Sequence, residues 1–346
     1  MAQIMVKSFS GGTAKASPSP AHIGEGRFLE CSKDAPRNAC AREFLAQYCV
    51  VSKGNIMSNS CITTDYHIHS TFSPDGHHTP AEICRLALDR GLTEIAITEH
   101  AEWEPGSSQK VFARVDDYFA AIEQCRATYE PLGLTIYTGV ELGNPHENFA
   151  EALALVSAYP FDVILGSLHW LHGENIHDTS CFARRSAHEV YADYFTELGR
   201  MAAAFDLDIV THFDRILWPG TLSGAMLDPW QLEPVVRDTL ATIARRGQAL
   251  ELNTRFLTHT PSWNEALITM LRWFRLAGGI GVAVNSDAHR AGEVGRYTDI
   301  AADLLLAAGF DLPAQLYRIH SPLQVERPWR EPSSPLLAAS LLSYTG

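Results

Sequence analysis

The sequence predicts an α/β chain whose main body is a parallel (β/α) barrel of seven strands, and three observations carry that prediction. From Cys61 onward, short apolar runs alternate with amphipathic helical segments. Helix-start signals such as Thr79-Pro80-Ala81-Glu82 stand between the runs. Six of the seven runs lead into histidine or a carboxylate, and the seventh into Asn253-Thr254. In a parallel barrel all strand C-termini open on one face, so polar residues distant in sequence converge there.

The first strand spans about Ile62–Ile68. Alternate side chains along a strand share a face, so His67 and His69 stand side by side. An isolated His-x-His is more often one packed and one solvated ring; recurrence of the same residue types at later strand ends favours metal binding. Thr79 to Glu82 forms a capping box with proline at the first helical position, and Gly91 closes that helix. A strand over Glu94–Thr98 then delivers Glu99 and His100. Val115–Tyr129 reads as a helix, and the strand Leu134–Val140 ends at Glu141. Phe161–Leu168 ends at His169 and is followed by a long helix, Ala187–Ala204. Leu207–Thr211 ends at His212, and a helix over Trp230–Arg246 leads into the strand Gln248–Leu252. Asn264–Ala277 is the last helix, before the strand Ile280–Asn285 and then Asp287 and His289.

The expected organisation is an irregular, poorly ordered N-terminal extension over 1–60, the barrel over 61–330 and a C-terminal tail over 331–346. Gly, Ser, Pro and Ala dominate Ser8–Pro20, only Ala41–Tyr48 has helical character, and Met57 could serve as an alternative start. A formal charge of −13 argues against a nucleic-acid partner, because polyanion affinity needs clustered Lys and Arg. Seven scattered cysteines without a Cys-x-x-Cys pair read as reduced thiols, not a disulfide frame or thiolate zinc site. No apolar run approaches the roughly 20 residues needed to cross a bilayer. The first residues also lack the apolar core of a secretory signal, so no membrane partner and a cytoplasmic location are expected.

His67, His69, Asp75, His100, Glu141, His169, His212, Asp287 and His289 are the candidate metal ligands, all imidazole or carboxylate. Mixed nitrogen and oxygen ligation suits zinc, iron or manganese. A closed structural zinc needs four ligands; this set is sized for three divalent ions if one carboxylate bridges two. Arg215 and Arg255 leave strand ends towards the same mouth, and their forked guanidinium groups suit phosphate; Arg290 is a third candidate. Asp65, Glu99 and Asp214 are expected to accept hydrogen bonds from ligand imidazoles and orient them. Phe256, Trp170 and Trp218 are candidate pocket walls, and the other nine histidines, His177 among them, read as surface residues.

His67-Ile-His69, Thr98-Glu99-His100, Gly139-Val-Glu141, Gly166-Ser-Leu-His169, Thr211-His212-Phe-Asp214 and Asn285-Ser-Asp287-Ala-His289-Arg together resemble the ordered motif set of the PHP (polymerase and histidinol phosphatase) superfamily. Gly166-Ser-Leu-His169-Trp, Leu252-Asn253-Thr254 and Ser286-Asp-Ala-His289-Arg290 with Glu293-Val-Gly295 look most like its histidinol-phosphatase branch. The likeness covers about 62 to 327. It implies a distorted, TIM-barrel-like (β/α)7 barrel with a trinuclear metal centre. Matched motif by motif, it implies one ion on His67, His69, Glu141 and Asp287, a second on Glu141, His169 and His212, and a third on Asp75, His100 and His289. Two departures stand out: Asp75 fills a position that is His in some relatives, and Glu99 replaces the commoner Asp.

For a phosphate monoester, two close cations lower the pKa of a bridging water and clamp the phosphoryl oxygens for in-line displacement. Glu141, His169, His212 and Asp287 would hold the metal-bridging hydroxide. No Gly-x-Ser-x-Gly, Walker-type loop or Cys–base motif offers another nucleophile. The implied function is hydrolysis of a small phosphorylated metabolite, L-histidinol phosphate, in histidine biosynthesis. A phosphoesterase for another small phosphate such as a nucleotide monophosphate, and a non-catalytic metal-binding scaffold, are the alternatives. Metal identity and subunit number are left open.

Overall fold

The computed structural model describes residues 62–103, 114–258 and 261–319, all within the compact unit Ser58–Gly346. The expected N-terminal extension (1–60) and C-terminal tail (331–346) lie outside the described residues. Seven strands form one sheet in chain order: β1 (Thr64–Asp65), β2 (Glu94–Ala101), β3 (Thr135–Gly143), β4 (Val163–Ser167), β5 (Ile209–Val210), β6 (Ala249–Asn253) and β7 (Val282–Asn285). Every neighbouring pair is parallel. The ring nearly closes where Ile68 bridges Ala288 and the His69 N–H donates to the Ala288 carbonyl at 2.8 Å.

Four strands, β1, β4, β5 and β7, are shorter than their apolar runs, and two, β2 and β3, are longer. At β1, amides that a longer ladder would use donate instead to side chains: Tyr66 to Asn285 Oδ1 at 2.8 Å and Ile68 to Thr98 Oγ1 at 3.1 Å. β2 and β3 instead pair through His100↔Glu141 and Ala101↔Leu142. Glu99, His100 and Glu141 therefore lie inside strands, held by a regular ladder, and not beyond strand ends.

Among the described residues eight helices surround the sheet: α1 (Pro80–Asp89), α2 (Val115–Tyr129), α3 (Phe149–Ala158), α4 (Ala187–Ala204), α5 (Leu217–Leu222), α6 (Glu233–Arg245), α7 (Asn264–Leu276) and α8 (Thr298–Ala308). Capping boxes open α1 (Thr79 with Glu82) and α4 (Ser186 with Glu189). The run before α6 begins as a 3-10 turn over Pro229–Leu232, and Pro234 sits in the first turn of the α-helix itself. α3, α5 and α8 were not signalled by the sequence; none has a side-chain cap. A two-stranded hairpin, Trp170–Leu171 with Glu174–Asn175, also interrupts the β4–α4 connection. No described helix is long and apolar enough to cross a membrane.

Period-two alternation sorts the strand residues. Ile95, Ile97, Ile136, Val140 and Leu142 face outward into a core shared with helical residues such as Tyr118, Ile122 and Leu198. Tyr66, Ala96, Val163, Leu165, Ile209, Ala249 and Ala283 fill the lumen with Tyr317 and Ile319. Two residues beyond Leu165, Ala249 and Ala283 the same inward positions carry Ser167, Glu251 and Asn285, all buried. An apolar floor thus supports a polar cup at the C-terminal ends of the strands.

Candidate metal centre

The cup is organised around Glu141, which is 1% exposed on β3. Its Oε1 lies 3.3 Å from His67 Nε2, 3.2 Å from His169 Nε2 and 3.2 Å from His212 Nε2. Its Oε2 lies 2.7 Å from His100 Nδ1 and 3.5 Å from His69 Nε2. Asp287 adds Oδ1 at 3.7 Å from His67 Nε2 and 3.5 Å from His69 Nε2. Asp287 sits at φ 49°, in the left-handed region that Asp tolerates better than most residues. At the rim, Asp75 Oδ2 is 3.0 Å from His289 Nε2 and 3.6 Å from His100 Nε2. All nine candidate ligands thus meet in one cup.

Three groupings among the nine bring one ligand atom per residue within 4.8 Å of the others: His67, His69 and Glu141; Glu141, His169 and His212; and His69, His100 and His289, where His69 stands in place of the expected Asp75. A fourth, His100 with Glu102 and His169, brings in a carboxylate that lies outside the six motifs. Two carboxylates fix the ring orientations. Glu251 Oε1 is 2.8 Å from His67 Nδ1, and Glu102 Oε1 is 2.5 Å from His169 Nδ1. A carboxylate there keeps the proton on Nδ1 and leaves the Nε2 lone pair facing inward. His67 Nε2 consequently faces His69 Nε2 at 3.1 Å, and His169 Nε2 faces His212 Nε2 at 3.4 Å. Buried lone pairs converging on one another and on carboxylate oxygens repel unless cations lie between them. This donor set fits divalent metal ions.

Titration behaviour reflects the same crowding. Burial would depress His67, but Glu251, Glu141 and Asp287 outweigh it and hold the ring well above its usual value. Burial together with His100 and His289 pushes His69 well below. Glu141 would be raised by burial, yet His67, His100 and His169 hold it well below the carboxylate range. Protons stand in here for the positive charge the cup is shaped to take.

The three carboxylates expected to orient imidazoles divide. Asp65 accepts from Ser286 N at 3.0 Å, Ser286 Oγ at 2.5 Å and Gly295 N at 2.8 Å, so it ties β1 to the segment after β7 and, among the described residues, touches no imidazole. Asp214 has no imidazole partner among the described residues either, and burial pushes its carboxyl up to about 7. Glu99 accepts from Ser70 and Ser73, and Ser73 Oγ in turn lies 3.3 Å from His69 Nδ1, so it acts on that ring at one remove. Glu251 and Glu102 hold the role instead. Strand parity could have found them: Glu102 follows His100 by two, just past the end of β2, and Glu251 lies two beyond inward-facing Ala249 on β6.

Arg215 is 9% exposed, with NH1 3.6 Å from Asp287 Oδ2. Arg255 NH1 is 3.3 Å from the same oxygen. Both guanidinium groups lie over the Phe256 ring, at 5.0 and 5.9 Å from its centroid, and Phe256 stacks on Trp218 at 4.8 Å. Trp170 is half-buried in the hairpin. Arg290 is exposed, and its guanidinium makes no ion pair with the cup among the described residues; its backbone N–H bonds Glu293. His177, expected as a surface residue, stands at the cup instead, with Nδ1 3.3 Å from Arg215 NH2 and its ring 5.7 Å from that of His169.

A seven-stranded parallel barrel whose C-terminal mouth gathers imidazoles around one shared carboxylate defines a class of protein built to hold several cations in one site. The chain belongs to the PHP domain family, which matches residues 65–255. The relatives it resembles within that family are histidinol-phosphatases. The histidinol-phosphatase of Lactococcus lactis is 25% identical over 249 residues, covering 71% of this chain and 91% of the relative. A probable histidinol-phosphatase of Clostridium acetobutylicum is 27% identical over 236 residues, covering 67% and 88%. The crystal structure of the Lactococcus lactis histidinol phosphate phosphatase, complexed with zinc, L-histidinol and phosphate, shares the fold. It matches with a TM-score of 0.67 at 23% identity, over 77% of this chain and 99% of that one.

Proposed function

We propose that the cup holds divalent cations and that the protein hydrolyses L-histidinol phosphate to L-histidinol and phosphate, the activity for which its relatives are named. Glu141 is the observation that carries the reading: five imidazole nitrogens crowd its two oxygens, as a carboxylate shared between ions requires. His67, His69, Glu141 and Asp287 would hold one ion, Glu141, His169 and His212 a second, and Asp75, His100 and His289 a third. When bound, such ions activate water and neutralise phosphoryl oxygens.

The remaining work falls to the chain's own side chains. Glu251 and Glu102 hold His67 and His169 in the tautomer that presents Nε2. Arg215 and Arg255 receive the phosphoryl group from the side opposite the floor. For Arg215 the support is specific: its NH1 is buried without a hydrogen-bond partner among the described residues, a donor that an anionic oxygen would satisfy. Phe256 supports both guanidinium planes. Cytoplasmic residence is part of the proposal and agrees with the free, buried thiols of Cys84, Cys125 and Cys181.

The test compares turnover of L-histidinol phosphate, AMP and p-nitrophenyl phosphate by metal-loaded protein. A preference above about tenfold in kcat/KM for the first, roughly 1.4 kcal/mol of transition-state discrimination, is expected. A smaller preference would point to a broader phosphomonoesterase. Folded, metal-replete protein that cleaves none of them would point to a scaffold.

A further inference from the structure

We infer that His177 is a positioning residue for Arg215, holding the guanidinium open for the phosphoryl group; this rests on the reading of Arg215 as a phosphate ligand. Among the described residues the Arg215 side chain makes one hydrogen bond, from NH2 to His177 Nδ1 at 3.3 Å. A guanidinium can only donate, so Nδ1 accepts, and the neutral ring carries its proton on Nε2. The competing acceptor is Asp287, whose Oδ2 lies 3.6 Å from Arg215 NH1. Without His177 the fork is free to swing onto that carboxylate and occupy both of its donor ends. That swing would block phosphate and draw Asp287 away from His67 and His69. Phe256 lies under the guanidinium, 5.0 Å from its carbon to the ring centroid, and His177 fixes which way the fork turns.

The place of His177 is itself fixed by the hairpin. Asn144, at φ 43°, accepts from the His169 N–H at 2.9 Å and the Trp170 N–H at 3.1 Å through Oδ1, and donates through Nδ2 to the Trp170 carbonyl at 2.8 Å. The Ile176 N–H returns to the His169 carbonyl at 2.9 Å, and the His177 N–H bonds Asn175 Oδ1 at 2.9 Å. The segment bearing His177 is thus tied to the strand end that bears His169, one of the candidate ligands. His177 is solvent-accessible while standing beside buried Arg215, as a residue lining the mouth of the cup must be.

The experiment is a double-mutant cycle on metal-loaded protein with H177F, H177A, H177N, R215A and H177F/R215A. Calorimetric binding of inorganic phosphate, KM and kcat for p-nitrophenyl phosphate and L-histidinol phosphate, and metal content are measured for each. H177F and H177A should weaken phosphate binding and raise KM about tenfold, with kcat within about threefold and metal content unchanged. H177N, which keeps a short acceptor, should recover most of the loss, and H177F should add nothing in the R215A background. Phosphate binding left intact in both H177F and H177A, or an H177F effect that persists undiminished without Arg215, overturns the inference. So does a loss of metal in H177F. Because phosphate and the aryl ester report on the cycle directly, failure of L-histidinol phosphate as preferred substrate sinks the functional assignment and leaves the role of His177 standing.

Discussion

Glu251, which is not itself a candidate ligand, reaches three parts of the centre at once. Besides His67 Nδ1 it accepts from the His212 N–H at 2.7 Å and from Asn285 Nδ2 at 2.8 Å, so one carboxylate orients a ring, pins a strand end and braces β7. Glu251→Gln and Glu102→Gln should each lower metal affinity or kcat/KM by about 10- to 100-fold while the fold persists, read by chelator competition. Unchanged affinity in both would exclude the orienting role. At this scale the nine candidate ligands were legible because His, Asp and Glu cluster by type at strand ends. Glu251 was not, because it lies inside its apolar run, which ends at Asn253-Thr254. Asp65 and Asp214 misled for the converse reason: adjacency to ligands in sequence says nothing of which way a carboxylate bonds.

Elements carry the ligands, and small residues keep them in place. A Cβ at Gly143, on β3, would collide with the Glu102 carboxylate. Gly143→Ala should therefore loosen His169 and weaken metal binding far more than it lowers thermal stability, the two being compared by chelator competition and a melting curve. On the outside, Ser186 accepts from the Glu189 N–H, and Glu189 bonds the Ser186 N–H at 2.9 Å. Ser186→Ala should cost about 1 kcal/mol in denaturant unfolding. Those same contacts lower the Glu189 pKa below 4.5, so the cap's contribution is present above that value and lost as pH falls through the lower folded-state pKa. Helices with such boxes announced themselves. α3, α5 and α8 carry no side-chain cap and did not, whereas α2 and α7, equally uncapped, were legible from their apolar spacing alone.

For the whole molecule, the cup concentrates charge that the fold alone does not balance. Adding zinc at about 100 times its dissociation constant should raise unfolding free energy by about 2.7 kcal/mol, and stripping it should lower the melting temperature correspondingly. The metal-stripped protein should also be pH-sensitive. Burial would depress His169, but Glu102 and Glu141 outweigh it and raise the ring from 6.5 to about 9. A raised folded pKa stabilises fully below the unfolded value of 6.5, and that contribution is lost as pH rises through about 9. Cations compete with those protons, so metal affinity should climb over the same window. Melting curves of stripped protein at pH 6 and pH 9 that superimpose would contradict this account.

The chain by itself determined the strand and helix rhythm, the parallel barrel and the residue types at its mouth, since these follow from local periodicity: two for strands, 3.6 for helices. Barrel closure decided the rest. Which carboxylate grips which nitrogen depends on contacts such as His67 with Glu251, 184 positions apart, and Asp65 with Ser286, 221 apart. The same holds for His177 and Arg215, brought together by a hairpin with no sequence signal of its own. Such pairings exist only once seven strands have curved back to their beginning, because distance through space is set there by the ring and not by the chain.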